Sequence, residues 1–137
     1  MGLTVFDAGV LVGFLDRRDG HHVEARQALA DAVERGDRLV LPASAYAETI
    51  VAPSRKGVEA VDTVRQLIDR TPIDVVPLDR DIAEAGATFR AQHAGLKLPD
   101  ALVIATAAIL DADELVTTDR RWPSRANLGL SADITVL

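Results

Sequence analysis

Four carboxylic acids stand out by their position, and three of them lie at predicted strand ends or at a helix start. Asp7 directly follows a short apolar run, Asp119 follows Leu-Val-Thr-Thr, and Asp100 stands behind Pro99 at the start of an apolar helix. Glu48 lies within the helix predicted after the second strand. Because sites in parallel α/β sheets form beyond the carboxyl ends of the strands, we expect these acids to meet at one edge of the sheet.

Carboxylates that lie within a few ångströms of one another repel, and without a counter-ion at least one of them takes up a proton. A divalent cation removes this repulsion, and a site made only of oxygen atoms suits Mg²⁺ or Mn²⁺. Such an ion binds phosphate oxygens, activates water and stabilises a departing alkoxide. The four acids therefore indicate phosphodiester hydrolysis.

Each acid also has an ordinary structural interpretation when it is considered alone. Asp7 could cap the helix that follows it, Asp100 could be a first-turn acid stabilised by the helix dipole, and Asp119 could begin a turn. Glu48 is predicted to lie among partly buried neighbours such as Tyr46, where an unpaired carboxylate is costly and needs a cation. The set of four is harder to explain in this way than any single member.

The composition excludes several classes of site. The chain contains no cysteine, which excludes disulfides, thiolate zinc sites, iron–sulfur clusters and a cysteine nucleophile. Its histidines lack zinc-binding spacing, and neither a phosphate-binding glycine loop nor a serine-nucleophile motif occurs. Aromatic residues make up only 4% of the chain, which argues against a base-stacking surface. The net charge of −6 is not that of a basic nucleic-acid binder, although a bound metal ion can invert the local charge.

The length of 137 residues predicts one domain over residues 1–137. The longest apolar run, 101–110, is shorter than the roughly 20 residues of a membrane span. No basic segment precedes an apolar stretch at the N-terminus, so no secretory signal is predicted. We therefore expect a cytoplasmic protein that makes no contact with a membrane.

Short apolar runs alternate with helical patterns along the whole chain. The runs predict strands at 3–6, 39–41, 73–76, 115–117 and 134–137, and the patterns predict helices at 8–15, 21–36, 44–51, 58–68, 79–93 and 99–112. Ser44 is the expected N-cap of the third helix, and Pro53 is expected to end it. This alternation predicts an α/β fold with a mostly parallel sheet of five strands covered by helices on both faces.

Four sequence segments, in this order, resemble the motifs of PIN-domain ribonucleases, in particular VapC-type toxins of bacterial type II toxin–antitoxin pairs. They are Val-Phe-Asp7-Ala-Gly-Val-Leu, Ala-Tyr-Ala-Glu48, Leu-Lys-Leu-Pro-Asp100-Ala-Leu-Val-Ile-Ala-Thr-Ala and Leu-Val-Thr-Thr-Asp119-Arg-Arg-Trp. The last two are the most specific, and the resemblance spans almost the whole chain. It implies a three-layer α/β/α fold with a five-stranded sheet.

The resemblance also implies a function. It implies that Asp7, Glu48, Asp100 and Asp119 hold Mg²⁺ or Mn²⁺ and that the protein hydrolyses single-stranded or looped RNA, such as tRNA or rRNA. Metal-activated water would leave a 5′-phosphate and a 3′-hydroxyl. The expected partners are a cognate VapB-type antitoxin and a second copy in a homodimer.

The chain departs from the family pattern at two positions. Gly9 stands where a small hydroxyl residue is common, and Trp122 stands where phenylalanine is common. A hydroxyl from Thr117 or Thr118 could support the site instead, and Thr118 is the preferred candidate because it adjoins Asp119.

Five cations are candidates for phosphate contacts, although each could also be an ordinary solvated surface residue. They are Arg17, Arg18, Lys97, Arg120 and Arg121. Two alternative functions stay open: an RNA-processing nuclease outside a toxin pair, and a PIN-like binding module with weak or no activity. A haloacid-dehalogenase-type phosphatase is disfavoured because position 9, where that chemistry needs a second acid, is glycine. A receiver domain is disfavoured because position 8 is alanine.

Overall fold

Five short strands form one sheet in the computed structural model, which describes residues 2–137. They are β1 (Leu3–Phe6), β2 (Arg38–Pro42), β3 (Ile73–Val76), β4 (Glu114–Thr117) and β5 (Asp133–Val136). Every neighbouring pair is parallel, and the order across the sheet is β3-β2-β1-β4-β5. The predicted α/β fold is confirmed, and the sheet is parallel throughout.

Seven helices connect the strands within the described residues. They are α1 (Ala8–Leu15), α2 (His22–Glu34), α3 (Ala43–Lys56), α4 (Val58–Arg70), α5 (Arg80–Gln92), α6 (Leu98–Ile109) and the short α7 (Arg125–Leu128). The sequence pattern predicted the first six, whereas α7 was missed because four residues carry too little periodicity. No helix within residues 2–137 is both long and apolar enough to cross a bilayer.

The three central strands are buried on both faces. Val5, Phe6, Val40, Leu115 and Val116 are at most 2% exposed. Strands covered by helices on both sides read as continuous apolar runs rather than alternating ones, which is why short runs of three or four residues marked them in the sequence. Helix α6 packs against this core and is itself buried from Val103 to Ala107.

The order of the strands creates a switch point between β1 and β4. The chain leaves β1 through α1 and α2 towards β2, and it leaves β4 in the opposite direction towards β5. Right-handed crossovers therefore place α1–α4 on one face and α5 and α6 on the other. Ligands bind beyond the carboxyl ends of the strands at such a point, and the pairing of Phe6 with Val116 sets those two strand ends level.

Helix α3 differs from the prediction at both ends. It begins directly after Pro42, with no side-chain cap from Ser44, and it continues through Pro53 to Lys56. A proline inside a helix costs about 3 kcal/mol or more because it loses one backbone hydrogen bond and its ring crowds the preceding turn. Packing of α3 against α1 and α4 holds the helix in spite of this, and Gly57 ends it at a φ of 123°.

Candidate active site

Asp7 lies at the centre of the switch point, between the end of β1 and the start of α1. It is 7% exposed. One carboxylate oxygen caps α1 by accepting a hydrogen bond from the Ala8 amide at 2.8 Å. The other, Oδ2, accepts a hydrogen bond from the Thr117 hydroxyl at 2.8 Å. Capping, the alternative interpretation of this acid, is therefore real, but it engages only one of the two oxygens.

Thr117 joins Asp7 to Asp119. Its hydroxyl donates a hydrogen bond to Asp7 and accepts one from the backbone amide of Asp119 at 3.1 Å. Thr117 is fully buried as the last residue of β4, and the Asp7 amide donates to the carbonyl of Val116 on the same strand at 3.0 Å. The two acid-bearing segments are thus fastened to each other. The sequence analysis could not decide between Thr117 and Thr118, and it preferred Thr118 because that residue adjoins Asp119. Only the register of β1 against β4 shows that the hydroxyl of Thr117 is the one that reaches Asp7.

Burial raises the pKa of Asp7 from 3.8 to about 6. The hydrogen bonds from Thr117 and Ala8 oppose this shift, whereas the negative charges of Asp100 and Glu48 add to it. A buried carboxylate with acidic neighbours is stabilised by a nearby cation. The environment of Asp7 is therefore suited to a positively charged ligand.

Asp100 occupies the first turn of α6, where Lys97 is the N-cap residue. Partial burial, and then the charge of Asp119, raise the pKa of its carboxyl, while the indole of Trp122 and the cations Lys97 and Arg121 lower it. The Trp122 indole nitrogen is buried and, among the side chains of residues 2–137, is the one buried polar atom without a hydrogen-bond partner. The exchange of phenylalanine for tryptophan at this position thus brings an N–H donor towards Asp100.

Glu48 is more exposed than predicted. Glu48 itself is exposed, although Ala45 and Thr49 beside it on α3 are buried and Tyr46 is partly buried as predicted. Partial desolvation, and then the negative charge of Asp100, still raise its pKa. The effect of the Asp100 charge shows that Glu48 lies near that acid, while the exposure of Glu48 leaves its carboxylate in contact with water.

Asp119 is held by Arg121. The Arg121 side chain donates to both carboxylate oxygens, at 3.2 and 3.3 Å, and its backbone amide donates to Oδ1 at 2.9 Å. The side-chain pairing is the main cause that lowers the pKa of Asp119. A turn at this acid, the alternative interpretation, does form, and it leaves Asp119 ionised beside Asp100.

The four acids form one electrostatic group with the donor chemistry of a magnesium or manganese site. The charges of Asp100 and Glu48 raise the pKa of Asp7, and the charge of Asp119 raises the pKa of Asp100. All donors are oxygen atoms, which hard divalent cations prefer. Among residues 2–137, no three His, Asp or Glu side chains stand close enough together to hold an ion as they are. Binding would therefore need the carboxylates to move closer together, and Glu48 is the exposed one of the four.

The candidate phosphate-binding cations fall into two places. Lys97 and Arg121 are exposed and lower the pKa of Asp119 by their charge, and Arg120 is exposed directly after Asp119. Arg17 and Arg18 are exposed in the loop between α1 and α2, and Arg18 lines a groove of about 470 Å³ between α1, α3 and α4. None of the four acids is among the residues that line this groove. The structure therefore brings three of the five cations near the acids and places two elsewhere.

Replacing Thr117 by valine should weaken both the fold and metal binding. The change leaves Asp7 Oδ2 and the Asp119 amide without partners, which should lower the free energy of unfolding by about 1–3 kcal/mol. Urea unfolding would measure this loss, and calorimetric titration with Mn²⁺ would measure binding. We expect the affinity for Mn²⁺ to fall at least roughly tenfold, as when a group that orients a metal ligand is removed.

Thr4→Val is a matched control for this variant. Thr4 is equally buried, and it donates to Asp37 at 2.9 Å from the opposite end of β1. It should lose similar stability and keep its affinity for Mn²⁺. Equal losses of Mn²⁺ affinity in the two variants would contradict a specific role for Thr117.

Comparisons with known proteins give one consistent result. The chain resembles a toxin–antitoxin complex from Klebsiella pneumoniae at 25% identity, with a TM-score of 0.65 over 86% of this chain and 88% of that one. It shares its fold with a VapBC complex from Rickettsia felis bound to promoter DNA (11% identity, TM-score 0.72, 98% of both chains). It also shares its fold with a sarcin–ricin loop-cleaving VapC toxin from Mycobacterium tuberculosis (15% identity, TM-score 0.69, 86% of this chain and 91% of that one). A comparison with curated protein sequences gives no match.

The family itself follows from a sequence match over most of the chain. The family model of the PIN domain matches residues 4–128, a stretch that contains all four acids and, apart from Leu3, the whole of strands β1 to β4. The structural neighbours agree with this match in fold. The chain belongs to the PIN domain family.

Proposed function

We propose that this PIN domain is a divalent-metal-dependent endoribonuclease and the toxin of a VapBC-type pair, folded as one domain over residues 1–137. The observation that carries the proposal is the group of four coupled carboxylates at the β1–β4 switch point, with Asp7 buried and its pKa raised to about 6. Toxin–antitoxin proteins of the same fold support the toxin assignment.

Asp7, Asp100 and Asp119 would hold Mg²⁺ or Mn²⁺, and Glu48 would complete the site directly or through a water molecule. The bound ion would supply an activated water and would stabilise the departing oxygen of the phosphodiester. Asp7 is the buried one of the four acids and is fixed by two hydrogen bonds. Glu48, the most exposed of the four, would orient the attacking water.

The substrate we propose is single-stranded or looped RNA in tRNA or rRNA, which places the activity in the cytoplasm. Lys97, Arg120 and Arg121 lie around the acids and would contact phosphates next to the scissile bond, whereas Arg17 and Arg18 would contact the RNA farther away. Arginine suits this task because its guanidinium binds phosphate with two hydrogen bonds. The supporting relative is the toxin described as cleaving the sarcin–ricin loop.

The partners we propose are a cognate VapB-type antitoxin and a second copy of the chain. The solved relatives from Klebsiella pneumoniae and Rickettsia felis are toxin–antitoxin complexes. Co-expression with the product of an adjoining small gene would test the pairing, because a toxin should form a stable complex that no longer cleaves RNA. An RNA-processing nuclease outside a toxin pair would cleave RNA but would have no such inhibitor.

Metal-dependent cleavage is the direct test. Purified protein incubated with total cellular RNA and Mg²⁺ or Mn²⁺ should give discrete fragments with 5′-phosphate ends, and EDTA should abolish them. Asp7→Ala is the control that excludes a contaminating nuclease. Cleavage that survives EDTA would contradict the proposal, and RNA binding without cleavage in either metal would favour a PIN-like binding module.

A further inference from the structure

Gly9 makes room for the side chain of another residue. It lies in the first turn of α1, two residues after Asp7. A Cβ atom at this position would overlap the hydroxyl oxygen of Thr118 and would lie 3.4 Å from its Cβ and 3.6 Å from its Cγ2. The three atoms nearest to that missing Cβ all belong to Thr118, so the threonine side chain occupies the place where a side chain of residue 9 would begin.

The Thr118 hydroxyl is also free. It forms no hydrogen bond to any other group in the described part of the chain, and the residue is only half buried. Its backbone lies between Thr117, which is bonded to Asp7, and Asp119. The loop after β4 thus places the Thr118 hydroxyl, which can still donate a hydrogen bond, against the first turn of α1. This turn follows Asp7, and Thr118 directly precedes Asp119.

We propose that Thr118 is a positioning residue whose hydroxyl, admitted by the missing side chain of Gly9, hydrogen-bonds the hydration shell of the ion held by the acids. The inference rests on the proposed metal-dependent function and deepens it by adding a polar group to the site. Position 9 of α1 has no side chain of its own, and the hydroxyl that lies there comes from Thr118 in the loop after β4.

A purely structural role for Thr118 would predict a different result. If the side chain only filled space over Gly9, valine, which has nearly the same shape, would serve equally well. If the hydroxyl is what matters, Thr118→Val should weaken Mn²⁺ binding roughly tenfold or more, as removal of a group hydrogen-bonded to a metal site does, and Thr118→Ser should retain the affinity. Calorimetric titration with Mn²⁺ reports this independently of RNA cleavage.

Position 9 provides the second half of the experiment. Gly9→Ala should displace the Thr118 hydroxyl and weaken Mn²⁺ binding as Thr118→Val does. In a Thr118→Ala background the same change should have no additional effect, because the hydroxyl is already gone and coupled residues are non-additive. The variant Gly9→Ser with Thr118→Ala returns a hydroxyl from the α1 side and should recover both Mn²⁺ affinity and cleavage. Gly20→Ala, at a glycine with open surroundings, is the control and should change neither.

The outcomes separate this inference from the proposed function. If the folded wild-type protein binds Mn²⁺ and cleaves RNA but Thr118→Val matches it, the role of Thr118 is refuted and the function stands. A doubly substituted Gly9→Ser, Thr118→Ala protein no better than Thr118→Ala also refutes it. If the wild-type protein neither binds Mn²⁺ nor cleaves RNA, the proposed function fails and this inference falls with it.

Discussion

Asp7→Asn should abolish RNA cleavage and, in EDTA at pH 7, make the protein more stable than the wild type. Cleavage should fall at least about a hundredfold, because a metal ligand contributes several kcal/mol to transition-state stabilisation and each 1.36 kcal/mol is a factor of ten. The gain in stability follows from the burial of Asp7. Asparagine can still accept the hydrogen bond of the Ala8 amide, but it carries no charge into the buried site.

The pH dependence follows from the direction of the Asp7 shift. Its pKa is about 6 in the folded protein against 3.8 as the ordinary value. Below pH 4 the group is protonated in both states and imposes no penalty. As the pH rises from about 4 to about 6, the unfolded state ionises first, so stability falls. Above pH 6 the penalty is constant at up to about 3 kcal/mol.

Urea unfolding between pH 4 and pH 8 in EDTA would measure this difference. The stability curves of wild type and Asp7→Asn should converge near pH 4 and separate as the pH rises. Asp69→Asn, on the exposed surface of α4, removes the same charge and should leave the shape of the curve unchanged. An Asp7→Asn protein that is less stable than the wild type at pH 7 would contradict the assignment of a strained, buried charge at Asp7.

Asp100→Ala should abolish cleavage with the fold retained. Asp100 is only partly buried, and burial together with the charge of Asp119 disfavours its ionised form more than Trp122, Lys97 and Arg121 favour it, so its removal should cost the metal-free fold little. It does take away one of the three acids that we assign to the ion. Wild-type protein saturated with Mn²⁺ should gain about 2.7 kcal/mol of stability when the ion is at a hundred times its dissociation constant, and Asp100→Ala should gain far less.

Asp81→Ala distinguishes this role from simple helix stabilisation. Asp81 is also a first-turn acid, on α5, and it is exposed. If Asp100 served only the helix dipole, both variants would lose the few tenths to 1 kcal/mol that such an acid contributes and both would keep their response to Mn²⁺. Thermal unfolding with and without Mn²⁺ compares the two directly. A full Mn²⁺ response and full cleavage in Asp100→Ala would remove Asp100 from the site.

Much of the fold could be predicted from local patterns alone. The strand at residues 3–6, the helix Ala8–Leu15 and the strand Ile73–Val76 lie where the sequence placed them, because apolar runs and helical spacing report burial directly. Asp79 caps α5, as its residue type predicts, and its carboxylate accepts a hydrogen bond from the Ile82 amide at 2.9 Å. The alternation of strands and helices along the chain then leaves few possible topologies other than a parallel sheet with helices on both faces.

The end of α3 and the surroundings of Glu48 could not be predicted in this way. Pro53 is a strong local signal for a helix end, yet contacts with α1 and α4 keep the helix intact around it. Glu48 lies on the face of the same helix that tertiary packing leaves in solvent. A sequence pattern shows that a helix has an apolar face, but not which residues the neighbouring elements finally cover.

The sequence by itself determined which residue types stand at the strand ends, and therefore that the chain carries an all-oxygen, acidic edge. Only the tertiary structure decided how these groups meet. The register of β1 against β4 lets the hydroxyl of Thr117, rather than that of Thr118, donate a hydrogen bond to Asp7. The packing of α1 against the loop after β4 places Thr118 over Gly9. The physical reason is that local propensities act over a few residues, whereas each of these contacts joins segments about 110 residues apart and depends on the whole sheet being assembled.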